Sequence, residues 1–181
     1  MPGTEVCGAC LRRGPAIDAA LAAFEYRFPI DRLIQRFKFA GDLAVGRWLG
    51  EQLAASAAGA ERPDLLVAPP LSRSRLRTRG FNQSLELARV VASSHRLALA
   101  IDAVEKVRDT PPQPGLGRRE RQANLRDALR ATGRFPGAHV AIVDDVMTTG
   151  ATVEAMAALM KAAGARRVSA WVAARTPEPG R

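Results

Sequence analysis

The sequence predicts an α/β fold, a doubly wound and mostly parallel sheet with flanking helices, and three observations carry that prediction. The apolar run His139 to Val143, the small-residue loop "DDVMTTG", a helix-period segment from Ala151 to Ala163 and a second apolar run from Arg167 to Ala174 follow one another within about 35 residues. That order is a βαβ unit, whose crossover is right-handed and whose ligand lies beyond the carboxyl ends of the strands. An earlier run, Leu65 to Ala68, stops at Pro69 and Pro70 and fits a buried parallel strand leading into a loop. Apolar residues at helical spacing precede and follow that strand, supplying the layers such a sheet needs.

Taken in order, the first 29 residues carry Cys7 and Cys10 and then an apolar strip of Ile17, Leu21, Phe24, Tyr26 and Phe28 before Pro29. We divide the chain into an N-terminal segment, 1–29, and a main domain, 30–181. Leu33, Ile34 and Phe37 recur at helical spacing between Ile30 and Ala40, and Gly41 is a stop. A second helix starts near Asp42 with Val45, Trp48, Leu49 and Leu53 on one stripe, fraying before Pro63. After Leu65 to Ala68 comes "LSRSRLRTRGFNQS", read as a loop whose alternating arginines share one face if the chain is extended. Asn82 or Ser84 caps a helix running to about Ser94, with Leu85, Ala88 and Val91 on a shared face. A short strand, Leu97 to Ile101, precedes the Pro- and Gly-containing segment Lys106 to Arg121, a mobile loop or hairpin that merges into a helix near Arg118. In the last third, Val153, Met156 and Met160 face inward and Gly164 ends the helix in a left-handed conformation.

At 181 residues, 47% hydrophobic and 25% charged, the chain has an ordinary folded composition, which excludes disorder. No run of eighteen apolar residues is present and the N-terminus lacks a signal-peptide pattern, so we expect a cytoplasmic protein without a transmembrane segment. Lys and Arg outnumber Asp and Glu by 27 to 18, a formal charge of +9 that attracts polyanions without choosing among them. Arg is the better bidentate partner for phosphate oxygens, although an Ala- and Arg-rich background composition produces the same excess. Two cysteines cannot form a multi-bridge framework; their spacing suits half of a metal site or a redox pair.

The chemistry concentrates in Val140 to Thr152. With the strand ending at Val143, Asp144 and Asp145 emerge at the lip of the sheet, where two adjacent acids need a cation or a hydroxyl-rich partner. A sugar diol, with magnesium on neighbouring oxygens, meets that need. Val146 and Met147 lead on to Thr148, Thr149, Gly150, Ala151 and Thr152, a turn into a helix N-terminus whose N–H groups and hydroxyls cradle an anion. An isolated "TTG" is more often a simple helix cap, but capping does not require both acids, the small loop and the apolar strand together. No GxGxxG follows a strand and no GxxxxGK[ST] is present, which sets aside the dinucleotide and nucleoside-triphosphatase classes.

"VAIVDDVMTTGAT", Val140 to Thr152, resembles the phosphoribosyl diphosphate motif of type I phosphoribosyltransferases. With "RTRGFNQSLELA", Arg77 to Ala88, and "RDTPPQPGLGRRERQANL", Arg108 to Leu125, the chain resembles the ComF family, a phosphoribosyltransferase-like group associated with DNA uptake in natural transformation. The likeness runs from Cys7 to Ala174. It implies that Asp144 and Asp145 hold the ribose hydroxyls and that Thr148 to Thr152 bind the 5-phosphate. The loop Pro70, Leu71, Ser72 and Arg73 would contact the diphosphate, with Arg73 or Arg75 adding charge. Lys106 to Arg121 would be a flap, with Arg108, Gln113, Arg118 and Asn124 as its polar positions, and Arg108 and Arg118 would join the acids in catalysis. The cofactor implied is Mg2+ with phosphoribosyl diphosphate. Family members commonly begin with two zinc-binding CxxC pairs, whereas Cys7 and Cys10 make one. A start upstream of Met1, loss of the site, sharing of Zn2+ between chains, or a redox or unrelated role all stay open.

An active site of this kind would displace diphosphate at the anomeric carbon by a nitrogen nucleophile. The hood that reads the second substrate would come from the helices before Pro63, where no Asp, Asn or Lys selects a particular base. The competing class is a single-stranded DNA-binding competence adaptor that keeps the phosphoribosyl pocket. Arg73, Arg75, Arg77 and Arg79 would grip the backbone and Phe81 would stack on a base or pack in the core. Competence proteins are then partners, and a dimer is compatible with the apolar N-terminal strip.

Overall fold

The strands that carry the fold are those whose sequence is apolar without interruption. The computed structural model describes residues 16–108 and 128–177. Their elements are β1 (Ala19–Glu25), α1 (Ile30–Ala40), α2 (Leu43–Ala57), β2 (Leu65–Val67), α3 (Arg73–Arg79), α4 (Gln83–His95), β3 (Ala98–Leu99), β4 (Val104–Lys106), β5 (Leu129–Ala131), β6 (His139–Met147), α5 (Ala151–Ala162) and β7 (Arg167–Arg175). Five strands form one sheet in the order β1-β7-β6-β2-β3, parallel at every pairing. β4 and β5 form a separate antiparallel pair that brackets the segment expected to be a loop or hairpin.

Central β6 and β7 are buried on both faces, which is why they read as continuous runs and not as alternation. The period-2 pleat sorts their side chains. Ala141, Val143, Trp171 and Ala173 face a core shared with α1, α2 and α4; Val140, Ile142, Val168 and Ala170 face one shared with α5 and β5. Fully buried Ile34, Phe37, Leu49, Leu53, Leu87 and Val91 anchor the first layer, each stabilising by about 1.5–3 kcal/mol. Val153, Met156 and Met160 anchor the second, as their spacing predicts.

Helix ends follow local chemistry. Gly41 closes α1 at φ 67°, and the Asp42 side chain accepts from the Val45 N–H to open α2. Asn82 accepts from the N–H groups of Ser84 and Leu85 at the start of α4, and its own amide donates to the Pro69 carbonyl at 2.9 Å. One side chain thus fixes both the helix start and the loop after β2. Two glycines set how closely the helices approach: a Cβ on Gly46 would lie 2.3 Å from the Phe37 ring, and one on Gly50 would lie 2.7 Å from Val90 Cβ.

Three expectations need correction. The strip from Leu21 to Phe24 is not part of a separate N-terminal segment, because β1 pairs in parallel with β7 and places residues 19–25 in the main sheet. β6 does not end at Val143: its pairing with β7 continues through Asp144 opposite Val172 to Met147 opposite Arg175, so the backbone ladder carries the strand through both acids. The arginine-rich stretch is helical and not extended, opened by Ser72 accepting from the Arg75 N–H and closed by Gly80 at φ 80°. Among the described residues no helix is long and apolar enough to cross a membrane.

Candidate functional site

Because β6 continues past Val143, Asp144 and Asp145 sit within the strand on opposite sides, 8% and 4% exposed. Asp144 borders a compact cleft of about 50 Å³ lined also by Val146, Met147, Thr148, Thr149, Gly150, Ala151, Thr152 and Val153. That volume suits a group of phosphate size. Gly150, at φ 74°, makes the turn into α5, and the Ala151 N–H approaches the Thr149 hydroxyl at 3.4 Å. The first N–H groups of α5 have no intrahelical acceptor, so the floor of the cleft is electropositive.

The Ser84 hydroxyl donates to Asp144 at 2.7 Å, and the Asp145 N–H donates to the same oxygen at 2.8 Å. Burial and the neighbouring Asp145 charge push the Asp144 carboxyl up to about 7, with Ser84, the Asp145 N–H and Lys38 opposing. Asp145 is tied down separately: the Lys38 ammonium lies 2.9 Å from one oxygen, and the Val146 N–H donates to the other at 2.6 Å. One acid therefore borders the phosphate-sized cleft, not two at an exposed lip. The second is held by a lysine from α1.

A larger cleft, about 260 Å³, opens where the end of α1 meets α3 and is lined by Lys38, Phe39, Ser74, Arg75, Thr78 and Arg79. Helical geometry explains this lining. Residues two apart on a helix fall on different sides, whereas residues four apart share one, so Arg75 and Arg79 line the cleft while Arg73 and Arg77 do not. Arg79 lies 5.5 Å from the Phe39 ring centroid and donates to the Gln83 side chain.

Among the loop residues, Pro70 and Leu71 are half-buried, Ser72 is buried beneath its capping bonds, and Arg73 and Arg75 are exposed on α3. Phe81 is half-buried, its ring 5.4 Å from that of Phe37 against the core, which leaves it unsuited to stacking on a base. Arg108 is exposed and lines neither cleft. Cys7, Cys10, Gln113, Arg118 and Asn124 lie outside the described residues. Neither histidine reaches the site: His139 hydrogen-bonds Ser169 at the far end of β6, and His95 contacts the Ala54 carbonyl.

Sequence reasoning missed Lys38 and Ser84 as site residues. Ser84 appeared only as a possible cap, and Lys38 sits in a helix that otherwise reads as amphipathic. The available signal was the pair of buried acids itself, which requires a cation from some other element.

Residues 52–180 match the phosphoribosyl transferase domain family. The DNA utilization protein YhgH of Salmonella typhimurium is 35% identical over 178 residues, covering 94% of this chain and 78% of that protein. Competence protein F of Haemophilus influenzae is 32% identical, covering 93% and 78%. Two solved structures share the fold at a level that speaks to architecture alone. The allosteric regulatory enzyme of purine biosynthesis has a TM-score of 0.54 at 19% identity, covering 77% of this chain and 30% of that one. Glutamine phosphoribosylpyrophosphate amidotransferase from B. subtilis has 0.52 at 19% identity, with the same coverage. Residues 52–180 carry the phosphoribosyl transferase domain and the relatives are DNA utilization and competence proteins, so the chain belongs to the ComF family of phosphoribosyltransferase-like proteins.

Proposed function

We propose that this protein binds phosphoribosyl diphosphate at the carboxyl end of β6, as a Mg2+-dependent phosphoribosyltransferase serving DNA uptake in the cytoplasm. The observation that carries this reading is the placement of Asp144 on the same small cleft as the turn from Thr148 to Thr152. A ribose hydroxyl donating to Asp144 and a 5-phosphate seated at the start of α5 would occupy neighbouring parts of one ligand. The names of the relatives, which speak of DNA utilization and competence, support the physiological half of the proposal.

Among the described residues no three His, Cys, Asp or Glu side chains converge on a point. Magnesium carried in on diphosphate would fit, because among the described residues the acid pair has one counter-ion, Lys38, and Asp144 or Asp145 would serve as its protein partner. Bound there, the metal supplies charge stabilisation to the departing diphosphate. The chain's own residues hold the sugar: Asp144 accepts from a hydroxyl, Ser84 fixes the carboxylate, and the α5 entrance grips the phosphate. As the bond from the anomeric carbon to diphosphate breaks, the sugar becomes cationic, and a preorganised acid stabilises that charge.

Calorimetric titration with phosphoribosyl diphosphate and Mg2+ tests the proposal. Binding should be present in the parent protein and lost in a folded variant combining Asp144→Ala with Asp145→Ala. Unchanged affinity in that variant overturns it. A second reading, single-stranded DNA binding, rests on exposed Arg73, Arg75 and Arg77, none of which ion-pairs with a described residue. Binding to a short oligonucleotide that weakens steeply with salt, together with no release of diphosphate for any base, favours it.

A further inference from the structure

The cleft between α1 and α3 has no role in holding a ribose or its 5-phosphate. The acid pair connects it to the phosphate-sized cleft: Lys38 lines the larger cleft and contacts Asp145 at 2.9 Å, and the neighbouring Asp144 lines the smaller one. Its side chains are three cations, two hydroxyls and one phenyl ring, with no carboxylate among them. Lys38 is balanced by Asp145. Arg75 has no ion-pair partner among the described residues, and Arg79 meets only the neutral Gln83 side chain and the Phe39 ring. Phe39 is 78% exposed, a large apolar surface left open beside those charges.

This lining discriminates between ligand classes. A neutral purine or pyrimidine presents N–H donors as well as acceptors; the three cations of the lining can only donate, and the Ser74 and Thr78 hydroxyls, which can accept, carry no charge to balance them. Arg75 and Arg79 would then stay uncompensated. A ligand with an anionic group satisfies them, and a planar ring on the same ligand finds both the guanidinium plane of Arg79 and the phenyl face of Phe39. Diphosphate would use the charge but not the ring. A cleft of about 260 Å³ is just below the ~300–1,000 Å³ typical of small-molecule sites, which suits one ring and its substituent.

We propose that this cleft holds the second substrate and that this substrate is a planar nitrogen ring carrying an anionic group, in preference to a neutral base. The proposal rests on the phosphoribosyl reading of the adjacent cleft. In the transfer step, the ring nitrogen's lone pair forms the bond to the anomeric carbon. The bond from that carbon to diphosphate breaks with its electrons on the diphosphate oxygen, and any N–H proton passes to water through the open cleft.

The experiment is direct binding of orotate and nicotinate, set against adenine, hypoxanthine and uracil, each with and without phosphoribosyl diphosphate and Mg2+. Both ring anions carry a carboxylate and no ribose phosphate, so neither engages the phosphate-sized cleft through a sugar. At least one ring anion should bind roughly tenfold or more tightly than every neutral base, and its affinity should fall about tenfold in Arg79→Gln. Phe39→Ala removes only an exposed ring and provides a second variant in a folded background; it too should weaken the ring anion. Preference for a neutral base, or ring-anion affinity unmoved by both variants, overturns the proposal. Displacement of the ring anion by short oligonucleotides with higher affinity and steep salt dependence overturns it in favour of a polymer. Phosphoribosyl diphosphate titrated alone reports separately on the adjacent cleft, so failure there is distinguishable from failure here.

Discussion

Replacing Asp144 with Asn should make the protein more stable at pH 8 while removing its sugar ligand. Burial, followed by the charge of Asp145, raises this carboxyl from 3.8 to about 7. The rise is roughly three pH units, and at about 1.36 kcal/mol each the ionised form is disfavoured by up to ~4 kcal/mol in the folded state. Between those two values the folded chain holds a proton that the unfolded chain has lost. The contribution of Asp144 to stability is therefore fully present below about pH 4, is lost as the pH rises to about 7, and is level above that, the reverse of a salt-bridged carboxylate. An Asn side chain keeps an oxygen to accept from Ser84 and never ionises, so the variant should gain on the order of 2–4 kcal/mol at pH 8 and nothing below pH 4. Since 1 kcal/mol moves the midpoint of a chain this size by about 2–4 °C, the expected rise in Tm at pH 8 is on the order of 10 °C. Thermal melts of both proteins from pH 4 to 8 measure it. Parallel stability profiles, or a variant less stable than the parent at pH 8, would refute the assignment of a strained acid at Asp144.

Lys38→Met should destabilise by about 3 kcal/mol, because it leaves the Asp145 carboxylate buried without its cation, and adding Asp145→Asn should recover most of that loss in a double-mutant cycle read by urea melts. Ser84→Ala removes a bond to ionised Asp144, so the pH midpoint for binding phosphoribosyl diphosphate with Mg2+ should move upward, as calorimetry across pH 6 to 9 would reveal. Gly50→Ala raises helix propensity by about 1 kcal/mol yet places a Cβ 2.7 Å from Val90 Cβ. The clash should win, with a net loss of about 1–2 kcal/mol by denaturant titration.

The sequence made the βαβ unit and the helix caps legible because those features are local. Gly41, Asp42, Asn82 and Gly164 each act on their own turn of backbone, and the run His139 to Val143 shows its double burial in its lack of alternation. Where strand β6 stops was not local. Two adjacent acids read as the end of a strand, but the partner strand β7 is long enough to carry the ladder past them. Membership of β1 in the sheet was hidden for a similar reason, since an edge strand with partly exposed residues has a weak pattern and its pairing is with residues some 150 positions away. The arginine stretch failed differently: alternation of charge suggested an extended segment, while Ser72 and Gly80, a cap at each end, signalled the short helix that forms. At the site, the acids and the α5 turn were visible, but Lys38 and Ser84 come from other elements and only the fold brings them in.

These results locate the functional tension of the molecule at one point. A folded chain gains nothing in stability from two adjacent carboxylates buried in the middle of a sheet, and Lys38 compensates one of them. Among the described residues Asp144 is left with hydrogen bonds from Ser84 and the Asp145 N–H and no cation in contact, a state that holds its proton to about neutral pH. On the proposed function, an incoming hydroxyl or metal-borne charge would relieve that strain, and part of the binding free energy would come from an unfavourable free state. Binding measured below pH 7 should then release a proton, and the affinity should rise with pH until Asp144 is ionised before the ligand arrives. A site built this way trades stability for affinity within a single side chain, which is why one substitution at Asp144 is expected to move the two quantities in opposite directions.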